Sequence, residues 1–176
     1  MPKDTSERRA VLREKYHQEI QNLKHSHLQV ITMQVGSQVF AIDIMQTREI
    51  ISTPAISPLP FTEDYVLGIF QFRGKTVLAV DLGKKVGMDQ INSEDVSFTV
   101  IVESEGYQLG FVLSQMPATA KLDGDSIQEI GDILTDTTRQ ETYIKGIVRS
   151  GESSVYWMDV EEFVADNKVK LDKVGS

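Results

Sequence analysis

Two textures alternate along this chain. Residues 4–25 are densely charged, and their apolar positions Leu12, Tyr16, Ile20 and Leu23 recur at spacings of 4, 4 and 3. That period places all four on one face and predicts an amphipathic helix with a narrow apolar stripe, able to pack on the body of the protein or to meet another chain. Ser6 is the candidate N-cap, and Arg9 rather than a glutamate stands where a capping box would need it. From Leu28 the period falls to 2. LQVITMQV (28–35), Gly36-Ser37 and QVFAI read as two alternating strands joined by a glycine-first, two-residue turn. VSFTVIVE, Ser104-Glu105-Gly106 and YQLGFVL predict a second hairpin, and YIKGIVR, Ser150-Gly151-Glu152 and SSVYWM a third. Between them STPAISPLP (52–60) holds three prolines, which cannot donate to a ladder and so imply an extended connection or a sheet edge.

GIFQFRGKTVLAV (68–80) has the look of a phosphate-binding loop, but five residues separate Gly68 from Gly74 where such a loop has four. The intervening residues are bulky, and Lys75-Thr76 runs into the β-branched stretch Val77–Val80 rather than opening a helix at a phosphate. The pattern predicts strand, turn, strand. It also recurs. Tyr65, Gly68, Ile69, Val77, Asp81 and Val86 return as Tyr143, Gly146, Ile147, Val155, Asp159 and Val164 at a constant offset of 78. Each unit reads as an entry glycine, two paired strands and an aspartate capping a short helix, with Glu162 set to complete a capping box for Asp159. Two related units of short strands predict two small barrels packed together, since closing a sheet removes its edges.

Composition narrows the chemistry. The 176 residues suit one domain or two subdomains sharing a core, and the absence of cysteine excludes disulfides, thiolate metal sites and cysteine nucleophiles, in keeping with a reducing cytoplasm. No leader-like apolar segment or membrane-length apolar run is present, so neither export by that route nor membrane insertion is expected. Net charge is −8; residues 89–136 hold ten Asp or Glu against one Lys, whereas residues 1–30 are slightly basic. An acidic body repels phosphate backbones, which argues against nucleic acid.

No catalytic, cofactor or metal site emerges. His17, His25 and His27 are a candidate metal set without the carboxylates to complete it. Asp123 and Asp125 resemble the start of a calcium loop, but Ile127 and Leu134 stand where later ligands belong, so both are read as turn residues or as a cap for a helix over SIQEI. Asp81 and Asp159 occupy equivalent places in the repeat and are read as caps rather than an acid–base pair. Trp157 is read as an anchor of the core or of the subdomain interface.

QVFAIDIMQTREII, LPFTEDYVLGIFQFRGKTVLAVDLGKKVGM, VIVESEGYQLGFVL and YIKGIVRSGESSVYWMDVEEFV, in that order, resemble the CheW family of bacterial chemotaxis coupling proteins. The resemblance implies a mainly β fold of two five-stranded, SH3-like barrel subdomains over residues 28–166, with a charged helical extension at 1–27, a short C-terminal helix and a tail at 167–176. It implies a non-enzymatic cytoplasmic adaptor, associated with membrane-bound receptor arrays, that joins chemoreceptor tips to the regulatory domain of a CheA-type histidine kinase. Arg73 matches the arginine of the family's Arg-Gly turn and Glu49 the glutamate of its Glu-Ile stretch. Thr47, Arg48, Glu49, Ile50, Arg73 and Gly74 thus form the expected protein-binding surface. Ser114–Ala120 departs from the family pattern, and Pro117 predicts altered strand pairing there. That departure, with the N-terminal helix, raises the alternative of a divergent scaffold docking on a pole-organising or specialised regulatory complex, and the helix is a candidate for self-association.

Overall fold

The computed structural model describes residues 5–85, 96–130, 143–168 and 171–172. Helix α1 (Thr5–Asn22) carries the predicted stripe: Tyr16 and Ile20 are buried and Leu12 and Leu23 half-buried against the body of the same chain. It stops short of residue 25 because the last turn tightens, with the Leu23 and Lys24 amides donating to the carbonyls of Ile20 and Gln21, and His25 then takes φ +64° to reverse the chain. Ser6 lies inside the first turn, one residue past the start of the helix, rather than at its cap.

The strands are β1 (His27–Val35), β2 (Gln38–Asp43), β3 (Thr47–Ser52), β4 (Val66–Phe72), β5 (Lys75–Val80), β6 (Phe98–Ser104), β7 (Tyr107–Leu113), β8 (Ala118–Asp123), β9 (Ile127–Glu129), β10 (Ile144–Ser150) and β11 (Ser153–Met158). They form two sheets, ordered β3-β6-β7-β5-β4 and β8-β1-β2-β11-β10-β9. The first is barrel I below and the second barrel II. Each joins two antiparallel hairpins by one parallel contact, β5 with β7 in barrel I and β11 with β2 in barrel II.

One bent stretch spans both edges of each sheet. In barrel II, residues 118–129 run as β8, a 3-10 turn at Gly124–Ser126 and β9, so the same stretch pairs with β1 on one side and β10 on the other. In barrel I the chain that leaves β3 returns to pair Ser57 with Ile69 of β4. Counting β8 and β9 as two parts of one stretch gives the five strands expected of each barrel. The prolines of 52–60 lie in that closing segment.

The 78-residue repeat is visible atom by atom. Asp81 donates its amide to the Tyr65 carbonyl at 2.8 Å, and Asp159 donates to the Tyr143 carbonyl at 2.7 Å. Their carboxylates accept from Lys84 and Glu162 amides at 3.2 and 3.0 Å, capping α2 (Leu82–Lys85) and α3 (Val160–Asp166). Register shifts fall at equivalent places, Val66/Gly68 and Ile144/Gly146. The predicted match at Val86 lies outside the described residues. The capping box does not close, because the Asp159 amide is taken by Tyr143 and the Glu162 carboxylate pairs with Arg8 of α1.

The main core lies between the barrels, where Met33, Phe40 and Ile42 meet Leu78, Val100, Leu109 and Phe111. Helix α3, which follows the last strand of barrel II, packs on β6 and β7 of barrel I, with Phe163 edge-on to Phe111 at 5.2 Å.

Two local expectations are corrected. Ser104 and Ser150 belong to their strands, so both hairpins turn on two residues, not three. SIQEI is not helical: Asp123 caps the 3-10 turn by accepting from the Asp125 amide, and Ile127–Glu129 is strand, because its residues close the barrel against β10. At Pro117 the β8–β1 ladder stops, at Thr32 with Ala118, while β1 runs on to Val35 against β2 alone, in keeping with a residue that cannot donate to a ladder.

Candidate functional site

Residues 68–80 form the β4–β5 hairpin, not a phosphate loop. Its turn is Arg73-Gly74, with φ +49° and +80°, the doubly left-handed geometry of a tight hairpin turn. Gly74 takes this conformation freely; an arginine does so at a cost of about 1 kcal/mol. The position is thus held by arginine against its local preference, and the guanidinium is what the turn presents. Arg73 Nη2 donates to Glu49 Oε1 at 3.0 Å and its guanidinium carbon lies 5.2 Å from the centre of the Phe72 ring. Glu49 comes from β3, where an irregularity between Thr47 and Glu49 leaves Arg48 as an extra residue, exposed at the rim beside Glu103.

The sequence-predicted residues separate into two groups. Arg48, Glu49 and Arg73 converge on one open cavity of about 330 Å³, and Gly74 shapes its turn. Ile50 packs on the main core, and half-buried Thr47 donates to the Asp43 carbonyl at 3.4 Å.

The cavity is the mouth of barrel I, which strand parity makes plain. Inward residues Phe70, Val77, Ile101 and Val112, with half-buried Ile51, fill the barrel. Two residues along each strand toward this end, and four along β7, stand Phe72, Lys75, Glu103, Gln108 and Glu49. The apolar filling gives way to a mostly charged ring. Arg48 Nε and Lys75 Nζ approach opposite oxygens of Glu103 at 3.4 and 3.7 Å. Arg48, Arg73 and Lys75 face Glu49 and Glu103, a local excess of cation on an acidic protein. Sequence reading missed Phe72, Lys75, Glu103 and Gln108, although polar residues ending otherwise apolar inward rows were the signal.

A match to the CheW-like domain covers residues 29–168. The chain belongs to the CheW-like family. It is 25% identical over 146 residues to the chemotaxis protein CheW of Treponema pallidum, covering 81% of this chain and 85% of that one. To the chemotaxis protein CheW of Helicobacter pylori it is 26% identical over 137 residues, covering 78% and 81%. Among solved structures it is similar to the scaffolding protein TtCheW from Thermoanaerobacter tengcongensis, with a TM-score of 0.64 and 22% identity over 76% of this chain and 89% of that one. The two-barrel fold is therefore the CheW fold, and the family places the chain in chemotaxis signalling as an adaptor.

Beyond the CheW-like barrels, α1 seats on barrel II. Ile20 joins Ile127 and Trp157 in one buried cluster, and Trp157 Nε1 donates to Asp43 Oδ1 at 2.7 Å. Buried Lys145 pairs with Glu19 at 2.8 Å and lies 4.5 Å from the Trp157 ring centre. Tyr16 donates its hydroxyl to Asp159 Oδ2 at 2.6 Å; burial first, then the charge of Asp159, pushes its pKa well above the usual range. The histidines diverge: His17 bonds Glu129, whereas His25 donates its amide to Asp125 Oδ1 at 3.0 Å. Among the described residues no group of three or more His, Asp or Glu is placed to hold a metal ion, and no helix is long and apolar enough to cross a membrane.

Proposed function

We propose that this protein is a non-catalytic chemotaxis adaptor that couples a chemoreceptor cytoplasmic tip to the regulatory domain of a CheA-type histidine kinase. The observation that carries the reading is the Arg73–Glu49 pair at the rim of the barrel I mouth, joining two family-matched residues from separate elements. The receptor tip meets β3 residues 47–50 and the Arg73-Gly74 turn, while strand edges and barrel loops meet the kinase. Charges of both signs there fix orientation and partner choice more than raw affinity. An adaptor that binds one kinase conformation better than another shifts its population when the receptor changes shape, and a few kcal/mol of differential affinity is enough. Modest contacts repeated across a cytoplasmic, receptor-associated array gain by multivalency.

The test is a calorimetric titration against the kinase regulatory domain, followed by co-assembly with a receptor-tip fragment. Wild-type protein is expected to bind the kinase and assemble, and Arg73→Glu and Glu49→Arg to lose assembly. No binding to any such kinase would turn the reading toward a divergent scaffold, for which the seated α1 is the favouring feature.

A further inference from the structure

The floor of the barrel I mouth holds an unmet hydrogen bond. Gln108 of β7, directly opposite Glu103 of β6, is 8% exposed and lines the cavity, yet its Oε1 has no donor. Buried acceptors without partners are rare in folded proteins and call for an explanation. Above it, Arg48 and Lys75 lean on Glu103 at 3.4 and 3.7 Å, longer than the 2.7–2.9 Å of a well-formed charge-assisted bond. Gln108 thus lines the floor with its acceptor sealed from solvent and unmet, beside cationic donors that have room for a second acceptor.

We propose that the mouth of barrel I is a subsite for a primary carboxamide, the side chain of an asparagine or glutamine on a partner protein. A turn of the Gln108 side chain brings Oε1 to the incoming NH₂, while the incoming carbonyl accepts from Arg48 or Lys75. A carboxylate supplies acceptors only and faces Glu49 and Glu103. An ammonium or guanidinium supplies donors only and faces three cations. A hydroxyl donates and accepts from a single oxygen, whereas a carboxamide carries donor and acceptor on separate atoms and so can meet floor and rim together, and the Phe72 ring gives its methylenes an apolar wall. The inference deepens the receptor-docking reading and rests on it for the identity of the partner.

The test combines folding with binding. Filling the site with an apolar isostere removes the unmet acceptor, so Gln108→Leu and the closer-volume Gln108→Met are expected to raise Tm by about 2–4 °C. N-acetyl-glutamine N-methylamide, whose only primary carboxamide is its side chain, is expected to shift the Gln108 side-chain and Lys75 amide resonances with a Kd of roughly 1–10 mM. The N-acetyl N-methylamides of glutamate and lysine should not, and neither Gln108 variant should respond to the glutamine compound. A fall in Tm in both variants, equal response to all three compounds, or no response to the glutamine compound overturns the proposal. A receptor-tip fragment, titrated in parallel, should bind the variants at least tenfold more weakly. Unchanged tip affinity alongside the glutamine response retains the carboxamide site and removes the receptor from it.

Discussion

The two barrels share one plan and differ at both ends. By the 78-residue offset and the matching ladders, Lys75, Gln108, Glu103 and Glu49 of barrel I correspond to Ser153, Val39, Gln34 and Ala118 of barrel II. A charged mouth in one barrel is therefore a neutral one in the other. At the opposite end the contrast reverses: barrel I has Ala79 where barrel II has Trp157, and at Trp157 helix α1 packs Ile20 against the ring. The lesson is that the fold fixes the strand pairing, while the residues ending each inward row decide what the barrel does. Barrel II spends its open end on holding α1, and barrel I leaves a charged mouth open, the place proposed for a partner.

The largest effect that would break this contrast is at Trp157. Trp157→Ala removes a fully buried ring, its bond to Asp43 and the platform under Lys145 and Ile20, and is expected to cost about 3–5 kcal/mol. Urea unfolding followed by circular dichroism reads both the midpoint and the loss of α1. A cost under about 1 kcal/mol would mean that α1 is held by its ion pairs and that barrel II needs no plug.

Next come the two repeat glycines, which look interchangeable in sequence. A Cβ at Gly68 would lie 2.2 Å from the Ser57 carbonyl oxygen, in backbone at φ +144°, whereas one at Gly146 would meet the Ile127 methyl at 2.7 Å and the Gln128 carbonyl at 3.0 Å without a left-handed φ. Gly68→Ala is expected to cost about 2–4 kcal/mol and Gly146→Ala about 1–2 kcal/mol. Equal costs would show that the closing segments of the two barrels yield equally.

Much of this was legible in the chain. Period-2 alternation with Gly36, Gly74, Gly106 and Gly151 fixed all four hairpins, and the repeat foretold the matched Asp81 and Asp159 caps. What stayed hidden was non-local. Alternation cannot show that β1 and β2 leave the first half of the chain to complete barrel II, or that SIQEI is drawn into strand by β10 rather than coiled by its own pattern. At the site, family-matched Arg73 and Glu49 stood out singly, whereas Gln108 and Glu103 gained meaning only when the ladder set them side by side.

A smaller effect separates the seat of α1 from the charged mouth by pH. Burial and Asp159 hold the Tyr16 proton, and burial and the bond to Asp166 hold that of Tyr143, so both pKa values lie well above their ordinary value. Unfolded tyrosine titrates near pH 10, so above that pH the native state binds more protons than the unfolded one and stability falls as pH rises. The contribution is complete below about pH 10 and is lost progressively from there up to the folded pKa values. Tyr16→Phe is expected to cost about 1–2 kcal/mol at pH 7 and to flatten the alkaline limb by up to about 1.4 kcal/mol per pH unit. Urea midpoints from pH 7 to 11 measure both, and an unchanged alkaline slope would mean that the hydroxyl ionises freely in the folded state.

The smallest expected effect on folding falls where the largest effect on binding is proposed. The Arg73–Glu49 pair is 3.0 Å long, but the arginine side chain is 73% exposed, so solvent screens most of the attraction. Arg73→Glu also places two carboxylates near each other at the rim, yet each can turn to water, and the loss is expected to stay below about 1 kcal/mol and to shrink in 0.5 M salt. Thermal unfolding of Arg73→Glu, Glu49→Arg and the double reversal, at low and high salt, reads it directly. A loss above about 2 kcal/mol would make the pair a structural strut, and assembly defects in these variants would then report folding. A near-neutral result leaves barrel I intact with its mouth altered, which is the condition under which lost assembly speaks for the site itself.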